Sequence, residues 1–427
     1  MSLTFSTAAE FDEAYAAVNK AFASGKTKDK RWRKRQLKSS GLRHQKEILD
    51  TIAHLDAWTA DERPNRGDFL NFVSGTTIRK EPLGVSLIIG AWNFPWVLSL
   101  QPLIAGIAAG CALVLKPSDM AIASQDLLVE LVPKYLDRDA IRCVTAGPTE
   151  MGYILEHRFD HIFYTGSPGL GGQAPAIICP SADVKLAAKR IAAAKFMNSG
   201  QICLNVNHVL VDPSIHAEFL THLTAYLDEF LQGGRNATPD YYSHIINERN
   251  FDRLDTLLRN TAGKPIYEGR RDRDTLFFGP TVVDDVRPDD SLLSEELFGP
   301  ILPIIKADLA EALRLTRSLD HPLALYAFTG SQREKDLILA STLSGGVTFN
   351  DCFLHATAKG VPFGGVGNSG TGSYHGRWGI DEFSHRRTCV DPPGWLENLM
   401  SFRYPPYTVA NNYRYLSILV ARSTSPL

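Results

Sequence analysis

Residues 83–115 read LGVSLIIGAWNFPWVLSLQPLIAGIAAGCALVL, a run without any charged side chain. The run is long enough to cross a bilayer, but two prolines interrupt it and its parts have different periodicities. Residues 85–89 are typical of a buried strand, 103–109 of a helix with small residues, and 112–115 of a second strand. A strand–helix–strand unit with both strands buried accounts for the missing charges without lipid. The sequence therefore predicts the core of a wound α/β sheet.

The same alternation continues downstream of this unit, without an internal repeat or a low-complexity tract. The predicted elements are a Ser118-capped helix to about residue 133, a strand at 141–145, a helix from Thr149, strands at 161–165 and 176–178, a helix over 184–191, a strand at 209–211, helices at 216–231 and 249–259, and a strand at 281–283. Strands and helices that alternate in this way indicate two successive α/β regions.

Length and composition describe an ordinary globular protein of two or three domains, with 427 residues, 44% hydrophobic and 22% charged. Lys and Arg number 45 against 47 Asp and Glu, so the net charge of -2 provides no general field for nucleic acid or anionic lipid. We interpret the basic run 26–38 as a solvated helical face. The apolar stretch 415–421 is too short to span a membrane.

The six cysteines are sparse, and they form neither a CxxC pair nor a Cys/His cluster at zinc-ligand spacing. This usage predicts a reducing, cytosol-like compartment and no metal site. The N-terminal residues include acidic side chains where a signal peptide would need a basic start and an apolar run. We therefore do not expect secretion.

Two residues are candidates for chemistry. Cys203 follows a predicted helix in a glycine-containing loop, where its sulfur could be exposed, although a lone cysteine is more often a small buried hydrophobe. Asn93 comes directly after a predicted sheet strand, at the end of the strand where open α/β sheets bind ligands. Its amide could hold an oxyanion together with a backbone N–H. A plain turn residue before Phe94 and Pro95 is an equally good interpretation of Asn93.

Several ordered motifs together resemble the aldehyde dehydrogenase superfamily over residues 8 to 408. They are Asn93-Phe94-Pro95-Trp96, Leu115-Lys116-Pro117-Ser118-Asp119, Phe163-Tyr164-Thr165-Gly166-Ser167, Gly200-Gln201-Ile202-Cys203 and Glu295-Glu296-Leu297-Phe298-Gly299-Pro300. The class 3, fatty aldehyde branch is resembled by Pro362-Phe363-Gly364-Gly365-Val366-Gly367, Tyr374-His375-Gly376 and Phe383-Ser384-His385. Each motif alone is weak, whereas their common order makes the resemblance specific.

The resemblance implies an aldehyde dehydrogenase-like α/β fold with a Rossmann-type cofactor domain, an α/β catalytic domain and small oligomerisation elements. The implied parts are a cofactor domain at 1–170 that includes 371–383, a dimerisation arm at 73–82, a catalytic domain at 171–345, a return to the cofactor domain at 346–383, and an oligomerisation segment and tail at 384–427. A homodimer follows from this organisation. The resemblance also implies a cytoplasmic protein, or one at the periphery of an internal membrane.

The implied activity is oxidation of a small-molecule aldehyde, medium- or long-chain aliphatic or aromatic, to the carboxylic acid with NAD or NADP. Cys203 would be the nucleophile that carries a thioester. Asn93 and the backbone N–H of Cys203 would form the oxyanion hole. The implied cofactor-binding residues are Trp92, Lys116, Ser167, Glu296 and Phe298. Lys116 and Glu296 would hold ribose hydroxyls, Ser167 the pyrophosphate, and Phe298 would pack beside the nicotinamide ribose.

One departure from the family pattern follows Ser167. In the family, a helix and a strand ending in Glu-Leu-Gly-Gly-Lys stand here, and that Glu activates the water that hydrolyses the thioester. In this chain Leu170-Gly171-Gly172 aligns with Leu-Gly-Gly, so that Gly169 stands at the Glu position and Gln173 at the Lys position. A helix and strand of roughly twenty residues are therefore missing, and too few residues remain for a crossover between parallel strands.

The missing unit would weaken cofactor binding, because a helix N-terminus favours phosphate. It would also remove the general base of deacylation and expose a sheet edge that favours association. Asp119, where the family commonly has Glu, leaves NAD or NADP open. Three interpretations follow: an impaired aldehyde dehydrogenase, which includes one shortened by a splicing or gene-model error; a catalytically dead relative that acts as a binding or scaffold protein; and a Cys203 thiol-esterase or acyl carrier that uses no cofactor.

Overall fold

The structure is a computed structural model that describes residues 4–39, 46–64, 69–166, 172–232, 234–236, 238–400, 403–405 and 413. Its α-helices are α1 Ala8–Ala23, α2 Lys30–Ser39, α3 Lys46–Trp58, α4 Phe69–Val73, α5 Val97–Ala109, α6 Ile122–Tyr135, α7 Pro148–Leu155, α8 Val184–Phe196, α9 His216–Leu231, α10 Glu248–Asn260, α11 Leu309–Ser318, α12 Gln332–Ser341, α13 Leu354–Thr357, α14 Arg377–Glu382 and α15 Glu397–Met400. Its strands are β1 Thr77–Pro82, β2 Val85–Ile89, β3 Ala112–Lys116, β4 Ile141–Cys143, β5 His161–Tyr164, β6 Pro175–Ile178, β7 His208–Val211, β8 Lys264–Glu268, β9 Arg271–Asp272, β10 Phe277–Phe278, β11 Thr281–Asp284, β12 Ile301–Lys306, β13 Ala324–Phe328, β14 Gly346–Phe349 and β15 Ser384–Cys389.

The charge-free run 83–115 forms β2, α5 and β3, as predicted from its periodicities. The two strands pair in parallel from Val85 opposite Ala112 to Ile89 opposite Lys116. Helix α5 is buried along most of its length between the sheet and the N-terminal helices, so charges are absent because both strands and their crossover lie in the core. Within the described ranges, no helix combines the length and apolar character needed to cross a bilayer.

The first sheet has the strand order β4-β3-β2-β5, and all its pairings are parallel. The carboxyl ends of β2, β3 and β5 therefore lie at one edge, where the chain continues into Trp92, Lys116 and Gly166. Ligands of open α/β sheets bind outside this edge. The sheet thus presents three of the sequence motifs together.

The second sheet has seven strands in the order β14-β13-β6-β7-β12-β11-β8, parallel except for the antiparallel edge strand β8. Its five inner strands are buried on both faces, whereas the edge strands β14 and β8 are partly exposed. One face packs on α8 and α9, and the other packs on α10, α11 and α12. A mostly parallel sheet covered on both sides is the α/β architecture that the sequence predicts.

Two local expectations were wrong. Helix α6 begins at Ile122 without a side-chain cap, because Ser118 lies in the preceding turn, where its hydroxyl accepts from the N–H of Met120 at 3.3 Å. The basic run 26–38 is not wholly solvated either, since Arg33 is buried. Its guanidinium donates to the carbonyls of Thr27 at 2.9 Å and Ala108 at 3.2 Å, so this charge fastens α2 to the end of α5.

The two sheets are joined by a short connection. Residues 165–174 separate β5 from β6, and those of them that the structure describes, 165–166 and 172–174, contain neither helix nor strand. This agrees with the alignment that removes a helix and a strand here. The residues on which that alignment depends, Ser167 and Gly169, lie outside the described residues.

Strands β1 and β15 pair antiparallel, which brings the predicted dimerisation arm and the start of the C-terminal segment together. The homodimer stays a prediction.

Strand β5 lies at the edge of the first sheet and carries exposed apolar side chains, with Ile162 46% and Tyr164 54% exposed. Unpaired edges and apolar patches favour association. We expect Ile162→Lys to reduce concentration-dependent self-association severalfold, because a charge on an edge strand opposes strand pairing. Light scattering over a concentration series measures the effect. Leu337→Lys, which changes a comparably exposed leucine (47%) on α12, is the matched control. An equal effect of both substitutions would contradict this role for β5.

Candidate active site

The loop between α8 and β7 carries Cys203 and has an unusual backbone. Asn198, Ser199 and Gly200 have φ angles of 50°, 52° and 73°, three left-handed residues in succession. A Cβ at Gly200 would lie 2.2 Å from the carbonyl oxygen of Gly299, so only glycine permits this approach between the Cys203 loop and the segment 295–300. Local strain of this kind persists only where the surroundings enforce it, and it concentrates at functional sites.

The buried side chain of Gln201 fixes this loop. Its amide donates to the carbonyls of Asn198 at 3.1 Å and His244 at 2.9 Å, and its oxygen accepts from the N–H of Ile246 at 3.0 Å. Ser199 adds a hydrogen bond from its hydroxyl to the carbonyl of Ser243 at 2.5 Å. The loop is therefore held to residues 243–246, and Cys203 is placed by packing rather than by loop flexibility.

Cys203 itself is half-buried and packs against the core under the second sheet. Burial first, and the negative charge of Glu296 second, raise the pKa of its thiol to about 12. The group therefore rests as a thiol at neutral pH, whereas the thiolate is the nucleophile. Burial raises the pKa of Cys143 and of Cys179 to about 12 as well. The pKa therefore does not distinguish Cys203 from these two cysteines, whereas the residues around it do.

Asn93 reaches this loop from the first sheet. Its amide nitrogen donates to the carbonyl of Gln201 at 3.1 Å, and Asn198 donates to the carbonyl of Asn93 at 3.4 Å. The structure therefore brings together the two residues predicted to be catalytic, although 110 positions of sequence separate them. Asn93 retains a second amide hydrogen, which supplies the donor that an oxyanion at Cys203 would need.

Trp92 and Phe298 meet beside this pair. Their ring centroids are 5.5 Å apart in an edge-on arrangement. Phe298 has a φ angle of 46°, a rare conformation for a bulky residue. One residue earlier, the N–H of Leu297 donates to the buried side chain of Asn207 at 2.9 Å, which fixes the backbone that leads into Phe298. Two predicted cofactor-binding residues thus form one aromatic wall.

Glu296 precedes this wall and has an unusual carboxyl group. Arg253 holds its backbone, donating to the carbonyls of Glu296 at 3.4 Å and Leu297 at 2.6 Å. Among the described residues, nothing donates to the Glu296 side chain, and burial raises the pKa of its carboxyl to about 8 against the opposing charges of Lys195 and Arg253. A desolvated acceptor without a partner is suited to bind hydroxyl groups of a ligand.

Lys116 ends β3 at the same sheet edge and is buried, with its ammonium 3.0 Å from the carboxylate of Asp119. The ammonium has three hydrogens, so this pair leaves donors for a ligand. Ser167, the fifth predicted cofactor-binding residue, lies outside the described residues. The described part of the chain contains no cluster of three or more acidic, histidine or cysteine side chains suited to a metal ion.

Sequence reasoning missed several residues that build or border the site, namely Asn198, Gln201, Asn207, Arg253 and the buried Lys195. One signal was available for Lys195. The buried stripe of α8 runs through Val184, Ala188 and Ile191, and Lys195 stands four residues further on, at the next position of the stripe. A lone charge on an apolar helix face indicates either a structural partner or a functional role.

Comparison with known proteins gives one family. The model of the aldehyde dehydrogenase family matches residues 42–171 and 169–389. Its two segments meet at 169–171, the place where the sequence alignment puts the missing helix and strand. The break in the match and the short connection between β5 and β6 therefore coincide.

Similar proteins cover nearly the whole chain. Aldehyde dehydrogenase family 3 member B1 of Bos taurus is 34% identical over 97% of this chain and 98% of its own length. The dimeric NADP-preferring aldehyde dehydrogenase of Rattus norvegicus is 39% identical over 85% of this chain and 84% of its own. A substrate-bound structure of AldH from Staphylococcus aureus is 27% identical, with a TM-score of 0.87 over 96% of this chain and 99% of that one. An aldehyde dehydrogenase from Mycobacterium tuberculosis complexed with NAD+, 23% identical, has the same fold, with a TM-score of 0.76 over 92% of each chain.

Proposed function

Because the chain belongs to the aldehyde dehydrogenase family, we propose that it oxidises an aldehyde with NAD or NADP through a thioester on Cys203, and that hydrolysis of this thioester limits its turnover. The observation that carries the proposal is the contact of Asn93 with the Cys203 loop, at 3.1 Å from the Gln201 carbonyl. It supports the proposed roles of Cys203 as nucleophile and Asn93 as oxyanion donor, because it brings two segments together that lie far apart in sequence.

The proposed reaction at Cys203 has two stages, formation of a thioester and its hydrolysis. The Cys203 thiol passes its proton to solvent water and its sulfur adds to the aldehyde carbon, while the Asn93 amide and the Cys203 N–H donate hydrogen bonds to the oxygen on which negative charge forms. When bound, NAD or NADP would supply the acceptor for the hydride of the tetrahedral carbon, which would leave a thioester on Cys203. Water then attacks the carbonyl carbon, the carbon–sulfur bond breaks, and the acid leaves as Cys203 regains a proton.

The residues present fit the ribose and nicotinamide end of such a cofactor. Glu296 offers an unpartnered carboxyl for hydroxyl groups, Lys116 offers spare ammonium hydrogens, and Trp92 with Phe298 provides an apolar wall for a flat ring. The rat relative is named NADP-preferring, and the mycobacterial structure contains NAD+. Asp119, paired with Lys116, is the position at which this chain departs from the family motif, so we propose NAD or NADP without a preference.

The substrate we propose is a medium- or long-chain aliphatic or an aromatic aldehyde. Cys203 packs against an apolar cluster that includes the buried rings of Tyr326, Tyr374 and Phe363. Apolar surroundings of the nucleophile suit an aldehyde with a large apolar group better than a small polar one.

We also propose a homodimer that involves the paired strands β1 and β15. The rat relative is named dimeric. Both strands lie outside the two large sheets and make a two-stranded ribbon with largely exposed side chains on β15, and an isolated two-stranded ribbon is marginally stable in water.

We propose slow hydrolysis of the thioester because the carboxylate that serves the family as general base is missing. Gly169 stands where the family has its general base, and losing such a group costs about 10²–10⁴ in rate. The same loss favours one alternative, a catalytically dead relative that retains the fold to bind or scaffold a partner.

Rapid mixing of the protein with NAD or NADP and a long-chain or aromatic aldehyde tests the proposal. We expect a burst of reduced cofactor below one equivalent, followed by turnover at least about 10²-fold slower than that of a relative with the Glu, because acylation can proceed while deacylation lacks its base. Reactions without aldehyde provide the baseline. A complete absence of the burst at saturating cofactor would favour the dead-relative alternative, and sustained fast turnover would show that another group supplies the base.

A further inference from the structure

The segment 293–298, which carries Glu296 and Phe298, is tied to the second sheet by two amide side chains. The first tie is made near the start of the segment, where the carbonyl of Leu293 accepts from the side-chain amide of Gln173 at 2.9 Å. Gln173 stands two residues before β6. This hydrogen bond therefore fixes the start of the segment to the start of a core strand.

The second tie is made by Asn207, the residue before β7. Its side-chain oxygen accepts from the N–H of Leu297 at 2.9 Å, and both residues are buried. Arg253 donates to the carbonyl of Leu297 at 2.6 Å. Because both polar groups of the Leu297 backbone are hydrogen-bonded, the peptide that leads into Phe298 has a fixed orientation.

The two tying side chains are neighbours. Strands β6 and β7 pair in parallel from Pro175 opposite His208, and the N–H of Asn207 donates to the carbonyl of Ala174 at 2.8 Å. The side-chain amide of Asn207 also donates to the side-chain oxygen of Gln173 at 3.5 Å. The starts of these two strands therefore form one base from which both ties reach the segment.

The conformation of Phe298 depends on such ties. Its φ angle of 46° is rare for a bulky residue and persists only where neighbouring contacts enforce it. In this conformation its ring lies edge-on to Trp92, with centroids 5.5 Å apart. Without the oxygen of Asn207, the buried N–H of Leu297 would lose its partner, and the cost of an unpaired buried donor favours a rearranged backbone. The ring and the nearby Glu296 carboxyl would then leave their positions.

We propose that Gln173 and Asn207 are positioning residues that hold segment 293–298 in the conformation that receives the cofactor. The inference rests on the cofactor roles proposed for two residues of that segment. Loss of either tie should therefore weaken cofactor binding and leave the reactivity of the Cys203 thiol unchanged.

Gln173 stands where the family has a lysine, which gives the proposal a specific consequence. A lysine could donate to the Leu293 carbonyl, but an ammonium has no acceptor for the amide of Asn207. Its charge would face that NH₂ group in a partly buried site, which is unfavourable. Gln173→Lys should therefore be harmful alone. It should be tolerated together with Asn207→Asp, because one carboxylate oxygen can accept from the ammonium while the other keeps the N–H of Leu297.

Fluorine NMR of the full chain reads the position of Phe298 without cofactor or activity. 4-Fluorophenylalanine is introduced at residue 298, and the shift caused by the neighbouring indole ring is calibrated by its loss in Trp92→Leu. We expect Asn207→Leu, which has a similar volume but no acceptor, to move or split the resonance toward the Trp92→Leu value. Gln173→Lys should move it in the same direction, and addition of Asn207→Asp should restore it.

Titration with NADH and with NADPH, followed by the fluorescence of the reduced nicotinamide, measures the consequence for binding. We expect Asn207→Leu and Gln173→Lys each to raise the dissociation constant about tenfold, the effect of one lost buried hydrogen bond. The combination of Gln173→Lys with Asn207→Asp should lie within about threefold of the unmodified chain, because the two changes compensate each other. The rate at which iodoacetamide alkylates Cys203 should be the same in all of them, whereas general damage to the fold would alter it.

Asn205→Leu is the matched control. Asn205 is a buried asparagine of the same loop, but it donates to the carbonyl of Lys195 at 2.9 Å instead of holding segment 293–298. Its replacement should leave the fluorine resonance unchanged. If Asn207→Leu does not fold, as judged by circular dichroism, Gln173→Lys and its rescue by Asn207→Asp decide the question.

Two results would overturn the inference: an unchanged resonance in a folded Asn207→Leu chain, or damage by Gln173→Lys that Asn207→Asp does not repair. A resonance that responds as expected in a chain that binds neither NADH nor NADPH would instead contradict the proposed function. The hold of Gln173 and Asn207 on the segment would then stand without its cofactor.

Discussion

Insertion of the missing helix–strand unit, with its terminal Glu, after Ser167 should raise steady-state turnover at least about 10²-fold, since it restores the general base of deacylation. The insertion should also tighten cofactor binding, because the N-terminus of the restored helix offers free N–H groups and a partial positive charge to phosphate. A new strand beside β5 would cover Ile162 and Tyr164 as well. Steady-state kinetics and cofactor titration, both compared with the unmodified chain, measure the two gains separately.

Two matched variants separate the causes of this gain. The same insertion with Gln at the terminal position should recover cofactor affinity while turnover stays about 10²-fold lower, because Gln cannot accept the proton from water. Gly169→Glu without the insertion should recover neither, since the strand that carries this carboxylate in the family is missing and catalysis requires the group to be held within roughly 0.5 Å. Full turnover from Gly169→Glu alone would show that the unit acts only through its carboxylate.

The sequence predicted the fold where local pattern and burial agree. The run 83–115 has to be buried on all sides because it carries no charge, and its two strands and helix were found where periodicity put them. The Ser118 cap was wrong because a serine serves a turn as well as a helix start, and only the following residues decide between them. Arg33 was misjudged because a basic run does not reveal which of its members has carbonyls within reach.

The residues of the candidate site were predicted only where they stand in recognisable sequence motifs. Cys203, Asn93, Glu296 and Phe298 stand in short motifs, and the structure brings them together. Asn207 and Arg253 stand in no such motif: each acts on a residue far away in sequence, since both hydrogen-bond the backbone of Leu297. Such pairings depend on how two segments pack, which no local pattern encodes.

Replacement of Cys203 by alanine should remove the burst of reduced cofactor completely and leave cofactor affinity unchanged. No thioester can form without the sulfur, whereas Trp92, Lys116, Glu296 and Phe298 remain in place. Stopped-flow kinetics measures the burst, and titration by intrinsic fluorescence measures the affinity.

Cys143→Ala is the matched control for this substitution, because burial raises the pKa of Cys143 to about 12, as it does for Cys203, yet Cys143 lies on β4 beneath α6, on the far side of β3 from Asn93. Cys143→Ala should keep the full burst.

Labelling by iodoacetamide provides a second measurement. In Cys203→Ala the label should disappear from residue 203 alone. In the unmodified chain, labelling of Cys203 should increase with pH, since only the thiolate reacts and its fraction grows as the pH approaches the raised pKa. A burst that survives Cys203→Ala and fails in Cys143→Ala would move the nucleophile to another domain, and with it the oxyanion role of Asn93, because that role depends on the contact between Asn93 and the Cys203 loop.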